Sequence, residues 1–220
     1  RGSSAMELAG KTKESLAGRA VTMYMHPIAM LELRATLSKF ELQQNLNSNL
    51  LYGCYPEVLT TTGAEAKKAL LTELVSSYLY RDILQMSNIK NSDKIYKLLQ
   101  LLAYQIGDLV SIHELAKTLS LNHETVNHYL DLLQKSFVIF SLSGLSNNPR
   151  KEISKMDKYY FVDVGIRNSL INNFNEPGIR SDKDGLWENF FILERIKYLK
   201  YSNIPTLNYF WRRYSGAEID

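Results

Sequence analysis

Between Val110 and Asp163 the hydrophobic pattern runs through two short segments of helical period and then changes to two apolar runs separated by a polar loop, an order that few folds can accommodate. Ser111 precedes the apolar positions Ile112, Leu115, Ala116 and Leu119, with Glu114 three residues on, the spacing of a capping box that starts a helix. The step Leu119-Ser120-Leu121-Asn122 is too short to be more than a turn. Asn122 suits the N-cap of a second helix over about 123–135. Val126, Tyr129, Leu130 and Leu133 make its inner face, which leaves Glu124, Asn127, His128, Asp131 and Gln134 toward solvent. An apolar run from Phe137 to Leu142 and a second at 159–162 then predict a hairpin with a long tip between Ser143 and Lys158. Helix, turn, helix and hairpin in that sequence are the parts of a winged helix-turn-helix, with the tip as its wing.

Such a module binds duplex DNA in some proteins and only packs against other domains in others. Phosphate contacts dominate DNA affinity and need Lys or Arg. The second helix offers none before Lys135. The tip carries Arg150, Lys151, Lys155 and Lys158, so these four, with Asn127 and His128 on the helix, are the expected DNA-contacting residues.

At 220 residues the chain has room for more than one domain, and its net charge of +3 is not gathered into a polybasic arm. Its one cysteine, Cys54, cannot form an internal disulfide, which fits a cytoplasmic protein; no apolar stretch reaches membrane-spanning length, and no membrane partner is expected. His26, His113, His123 and His128 include no i, i+4 pair for a zinc-protease helix. No Gly-x-Ser-x-Gly elbow and no phosphate-binding glycine loop of the form Gly-x-x-x-x-Gly-Lys-Ser/Thr occur in the sequence. A complete hydrolase or nucleotidase centre is therefore not expected within these residues. Helical periodicity over 27–47, 65–84 and 92–106, interrupted by Gly53, Pro56 and the stretch from Thr60 to Gly63, predicts helices ahead of the winged segment.

Short motifs run the length of the chain: Gly2-Ser3-Ser4, Leu16-Ala17-Gly18-Arg19, His26-Pro27, Gly53-Cys54-Tyr55-Pro56, Tyr80-Arg81-Asp82, Val162-Asp163-Val164-Gly165, Trp187-Glu188-Asn189, Trp211-Arg212-Arg213 and Gly216-Ala217-Glu218-Ile219-Asp220. In this order they resemble prokaryotic AAA+ ATPases that carry a C-terminal domain of unknown function with a restriction-endonuclease-like fold. The resemblance implies a fragment that lacks the phosphate-binding core. Its division would be 1–87 as a remnant of the ATPase core and helical lid, 88–165 as the winged helix-turn-helix, and 166–220 as part of a nuclease-like domain.

The overall expectation is a mainly helical α+β chain. By the resemblance, Ser3 and Ser4 stand at a γ-phosphate-sensing strand end, although Arg1 replaces the family's threonine there, and Arg19 and Arg81 are nucleotide-binding candidates because a guanidinium is a planar, permanently charged fork. ATP and magnesium are implied for the parent protein, with none expected on this chain. Glu188 on a helix and Asp220 at a strand end match two carboxylates of a nuclease-like site, whose Glu-x-Lys would lie beyond residue 220. Glu188 is expected near the start of its helix, over Phe191 and Ile192. The alternatives are a stand-alone winged-helix module that binds DNA or a protein partner without enzymology, and a scaffold that packs domains or self-associates.

Overall fold

The computed structural model describes residues 24–79, 92–145, 156–212 and 218–219. It is α+β and mainly helical. The helices are α1 (Met30–Leu33), α2 (Lys39–Tyr52), α3 (Pro56–Thr60), α4 (Ala64–Glu73, running on as a π-helix Leu74–Leu79), α5 (Ser92–Tyr104), α6 (Ile112–Leu119), α7 (His123–Lys135), α8 (Val164–Leu170) and α9 (Lys183–Tyr201), with a short 3-10 turn at Pro177–Ile179 between the last two. The strands are β1 (Ile139–Gly144), β2 (Lys158–Phe161), β3 (Tyr209–Arg212) and β4 (Glu218–Ile219), in the spatial order β2-β1-β3-β4.

The predicted start of α6 is present: Ser111 Oγ accepts from the Glu114 N–H at 3.3 Å, one of the two bonds of the expected box. Asn122 Oδ1 accepts from the Thr125 N–H at 2.6 Å and starts α7. Ser120, between the helices, is left-handed at φ 51°, and its N–H reaches back to the α6 carbonyls, so the chain reverses in a few residues. β1 and β2 pair antiparallel from Ile139 with Phe161 to Leu142 with Lys158.

Upstream, the helix expected over 27–47 is instead two pieces. α1 ends after one turn, and α2 starts at a second box, in which Ser38 Oγ accepts from the Glu41 N–H and the Glu41 carboxylate accepts from the Ser38 N–H at 2.8 Å. The Gly53 to Gly63 interval, a break by sequence, contains α3, begun by Pro56 at a position where a missing N–H costs nothing.

β1 also pairs with β3, in parallel, so one sheet joins the hairpin to the C-terminal segment. The largest apolar cluster likewise draws on Val58 and Leu71, on Leu98, Leu115, Leu130 and Phe161, and on Ile166 and Leu170. Three of the short sequence motifs turn out to be knots of backbone. Asp163, buried, caps α8 by accepting from the Gly165 and Ile166 N–H groups, and its other oxygen accepts from the Cys54 N–H at 2.7 Å. A Cβ on Gly53, where φ is +75°, would lie 1.9 Å from that carboxylate, and one on Gly165 would lie 2.0 Å from the Tyr52 carbonyl oxygen. Asn168 donates to the Leu50 and Leu51 carbonyls at the end of α2. Asn189 on α9 both accepts from the Phe161 N–H and donates to the Phe161 carbonyl, at 2.8 Å each, completing the outer edge of β2 as another strand would.

Candidate functional site

The sequence-predicted candidates that are described fall in two places: the outer face of α7, and the ends of β2, β4 and α9.

On α7, Glu124, Asn127 and His128 are exposed. Asp131 is half-buried and holds Lys135, one turn on, in an ion pair of 2.6 Å. Gln134 does not join this outward set, because its side-chain oxygen accepts from Ser141 Oγ on β1 at 3.0 Å. The face thus presents an amide, an imidazole and a carboxylate, and its terminal ammonium is already opposed by a carboxylate.

Lys158 corrects the sequence reading. The sequence places it among the cations of an exposed tip, yet it sits in the strand register opposite Leu142 and is 2% exposed. Its ammonium donates to Glu188 Oε1 at 3.0 Å and lies 2.6 Å from Glu218 Oε1, over the Phe210 ring at 5.5 Å from the centroid. The β2 pleat turns residue 158 toward α9 and β4 rather than outward, and a buried ammonium is retained only with such partners. It cannot reach a phosphate on DNA.

Glu188 is also displaced from its expected place. α9 begins five residues earlier, so Glu188 lies beyond the first turn and its carboxylate faces the sheet instead of the helix dipole. Tyr160 OH donates to its Oε1 at 2.5 Å. The close approach of α9 depends on two glycines: a Cβ on Gly185 would lie 2.4 Å from the Ile106 carbonyl oxygen, and one on Gly107, at φ +84°, would lie 3.2 Å from Glu188 Oε2. Arg212 on β3 stands 3.7 Å from the second oxygen of Glu218. The result is a chain of alternating charge, Glu188, Lys158, Glu218, Arg212, carried on four different elements.

Two carboxylates converging on one ammonium would repel without it, and a divalent ion could take them only by displacing Lys158. As arranged, these side chains do not fit a magnesium ion. Among the described residues, no group of three or more His, Cys, Asp or Glu side chains is placed to hold a metal. Sequence reasoning missed Tyr160 and Glu218 as members of this cluster. The signal for Glu218 was its place in the strand-like stretch after Gly216, as a carboxylate beside the motif already singled out. Ser3, Ser4, Arg19, Arg81, Arg150, Lys151, Lys155 and Asp220 lie outside the described residues. No helix described is long and apolar enough to cross a membrane.

Comparison with known proteins gives a family model, described as a domain of unknown function (DUF8612), that matches residues 43–177. The chain belongs to this family. The DUF8612 region runs from within α2 to the start of the 3-10 turn, so it takes in the Asp163 knot, α6, α7 and the hairpin, and ends before Glu188 and Glu218. Relatives extend further. An uncharacterised protein of Mycobacterium tuberculosis, Rv2008c, is 27% identical over the whole of this chain and 47% of its own length. An uncharacterised protein of Methanocaldococcus jannaschii, MJ1544, is 25% identical over the whole chain and 51% of its own length, and one from Haemophilus influenzae is 26% identical over 77% of this chain and 44% of its own. The chain therefore spans about half the length of the curated relatives it matches. No solved structure matches it.

Proposed function

We propose that this DUF8612 chain is the C-terminal part of an AAA+-type ATPase acting on or near DNA, with a winged helix as its contact module and a nuclease-like domain whose metal site is degenerate. The observation that carries the reading is the succession of α6, the left-handed turn at Ser120, the Asn122-capped α7 and the β1–β2 hairpin, which has the order and lengths of a winged helix-turn-helix. The sequence resemblance supplies the ATPase, ATP and magnesium of the parent protein, and Ser3, Ser4, Arg19 and Arg81 as its nucleotide-side residues. Glu188 and Asp220 keep the nuclease-like pattern, while Lys158 between Glu188 and Glu218 favours a domain that no longer holds metal.

In this reading Asn127 and His128 face the groove and Arg150, Lys151 and Lys155 reach phosphate, with Lys158 withdrawn from the set. Binding is then weak and strongly salt-dependent, since α7 itself brings carboxylates. Fluorescence anisotropy of a labelled duplex at low salt tests it: the full chain should bind, and Arg150→Ala with Lys151→Ala should lower the log–log salt slope by about 0.9 for each phosphate the variant no longer neutralises.

A second reading, a winged helix that contacts protein instead of DNA, is favoured by the pairing of Lys135 with Asp131 and the burial of Lys158, which take two of the module's cations out of reach of phosphate. Absence of duplex binding at low salt, or an unchanged slope in the double variant, would select that alternative.

A further inference from the structure

In the sequence His113 and His123 are only histidines without a zinc-protease partner, and nothing in the proposed function uses them. His113 stands in the first turn of α6 and His123 opens α7. Both are exposed, yet His113 Nδ1 lies 3.2 Å from His123 Nε2, with the rings nearly perpendicular at 72° and their centroids 5.3 Å apart. The backbone beneath them is well fixed. Ser111 and Asn122 cap the two helices, Ser120 closes the turn between them, and the buried Leu115, Leu119, Val126 and Leu130 lock the helices to one core.

We propose that His113 and His123 form a two-imidazole clamp for a borderline divalent transition metal of the Zn²⁺, Ni²⁺ or Cu²⁺ class. A tetrahedral zinc with nitrogen ligands at about 2.0–2.1 Å holds those nitrogens about 3.3 Å apart, so the observed separation is that of one edge of its coordination shell. Imidazole suits these ions, whereas Mg²⁺ and Ca²⁺ want oxygen ligands. In the metal-free pair one ring nitrogen donates a proton to the other. Binding requires that proton to leave the gap, and it does so by tautomer exchange: the donor ring carries its proton on the remaining nitrogen, both facing nitrogens become acceptors, and no net proton is released from the neutral pair. Glu114 and Glu124, exposed in the same first turns, favour the cation; Lys117, one turn from His113 on α6, and the positive helix ends oppose it. With two protein ligands the remaining positions belong to water or to a group brought by a partner, so the site is open.

The clamp is independent of the DNA and ATPase readings, and so is its test. Zn²⁺ and Ni²⁺ are titrated into the full chain at neutral pH by calorimetry, beside His113→Ala, His123→Ala and the double variant, with Mg²⁺ as a control. One ion per chain should bind the unaltered protein, with at least a tenfold loss in either single variant, on the order of what altering a metal-site residue costs, and no added loss in the double variant. Both side chains are exposed, so the variants should fold, which their circular dichroism checks. The proposal is overturned if binding is not saturable, if it survives in the double variant, or if Mg²⁺ competes equally. It is overturned too if the imidazole ¹⁵N resonances of His113 and His123 report the mutual hydrogen bond and do not move on adding Zn²⁺.

Discussion

At the scale of single residues, the most consequential carboxylate is Asp163, which satisfies three buried N–H groups. Asp163→Ala would leave those donors buried and unpaired, at about 1–3 kcal/mol apiece, so a loss of at least about 3 kcal/mol is expected in urea unfolding. Burial pushes this carboxyl up to about 6 against the pull of the backbone donors. His26 behaves in the opposite sense. Its Nε2 is buried without a partner among the described residues, and burial, followed by the charges of Lys200 and Lys197, pushes its pKa down to about 4. The signs follow from linkage. His26 contributes stability that is complete above its unfolded value of about 6.5 and lost as pH falls toward 4. Asp163 contributes stability that is complete below an unfolded value of about 3.9 and lost as pH rises through 6. The two oppose each other at pH 5. His26→Gln should remove one of them, so that stability measured by denaturant between pH 7 and pH 5 falls less steeply with acid, or rises, relative to the unaltered protein. An identical pH slope would show that folding does not lower the His26 pKa.

Elements depend here on caps and close approaches more than on propensity. Asn122→Ala removes the N-cap of α7 and should cost about 1 kcal/mol, with the effect confined to amides of the first turn in hydrogen exchange. Gly185→Ala is a harsher change, because its Cβ would meet the Ile106 carbonyl at 2.4 Å and α9 would have to move off the 106–107 turn. It should destabilise the whole chain and shift the Tyr160 resonances, since Tyr160 holds Glu188 on that helix. At the sheet edge, Lys158→Met would leave Glu188 and Glu218 facing each other with the ammonium gone. Removing one partner of a buried pair costs about 3–5 kcal/mol, and a Lys158→Met, Glu188→Gln double variant should recover part of that. A neutral effect of the single variant would mean that the pair is not buried in solution.

For the whole molecule, the largest apolar cluster joins α4, α7 and α8, two smaller ones tie α9 to α2, α8, β2 and β3, and one sheet joins the hairpin to the C-terminal segment, so unfolding should be a single transition across α4, α7 and α9. The proposed ATPase parentage makes a separate prediction. The Gly-x-x-x-x-Gly-Lys-Ser/Thr loop that cradles the β- and γ-phosphates does not occur in these 220 residues, where Gly10-Lys11-Thr12 has Ala5 in place of the first glycine, and the chain should not turn over ATP above a buffer blank. Measurable turnover abolished by Arg19→Ala would reverse that expectation.

How much was legible in the sequence depended on the range of the interaction. The α6–α7 pair and the hairpin could be read because caps, turns and hydrophobic period act within a few residues: Ser111, Asn122, the 3.6-residue stripe of α7 and the apolar run of β1 each announce themselves locally. The second box at Ser38 and Glu41 was equally local and readable. The fate of Lys158 was not. A lysine beside a polar loop has the same sequence signature whether its strand faces water or a helix, and only the packing of α9 and β4, placed by Gly185 and by the parallel pairing of β1 with β3, decided that it would be buried. Asp163, His113 and His123 follow the same rule. Their residue types fixed what chemistry they could do, and contacts made across 10 to 109 positions of chain, invisible to any local pattern, selected which part of it they do.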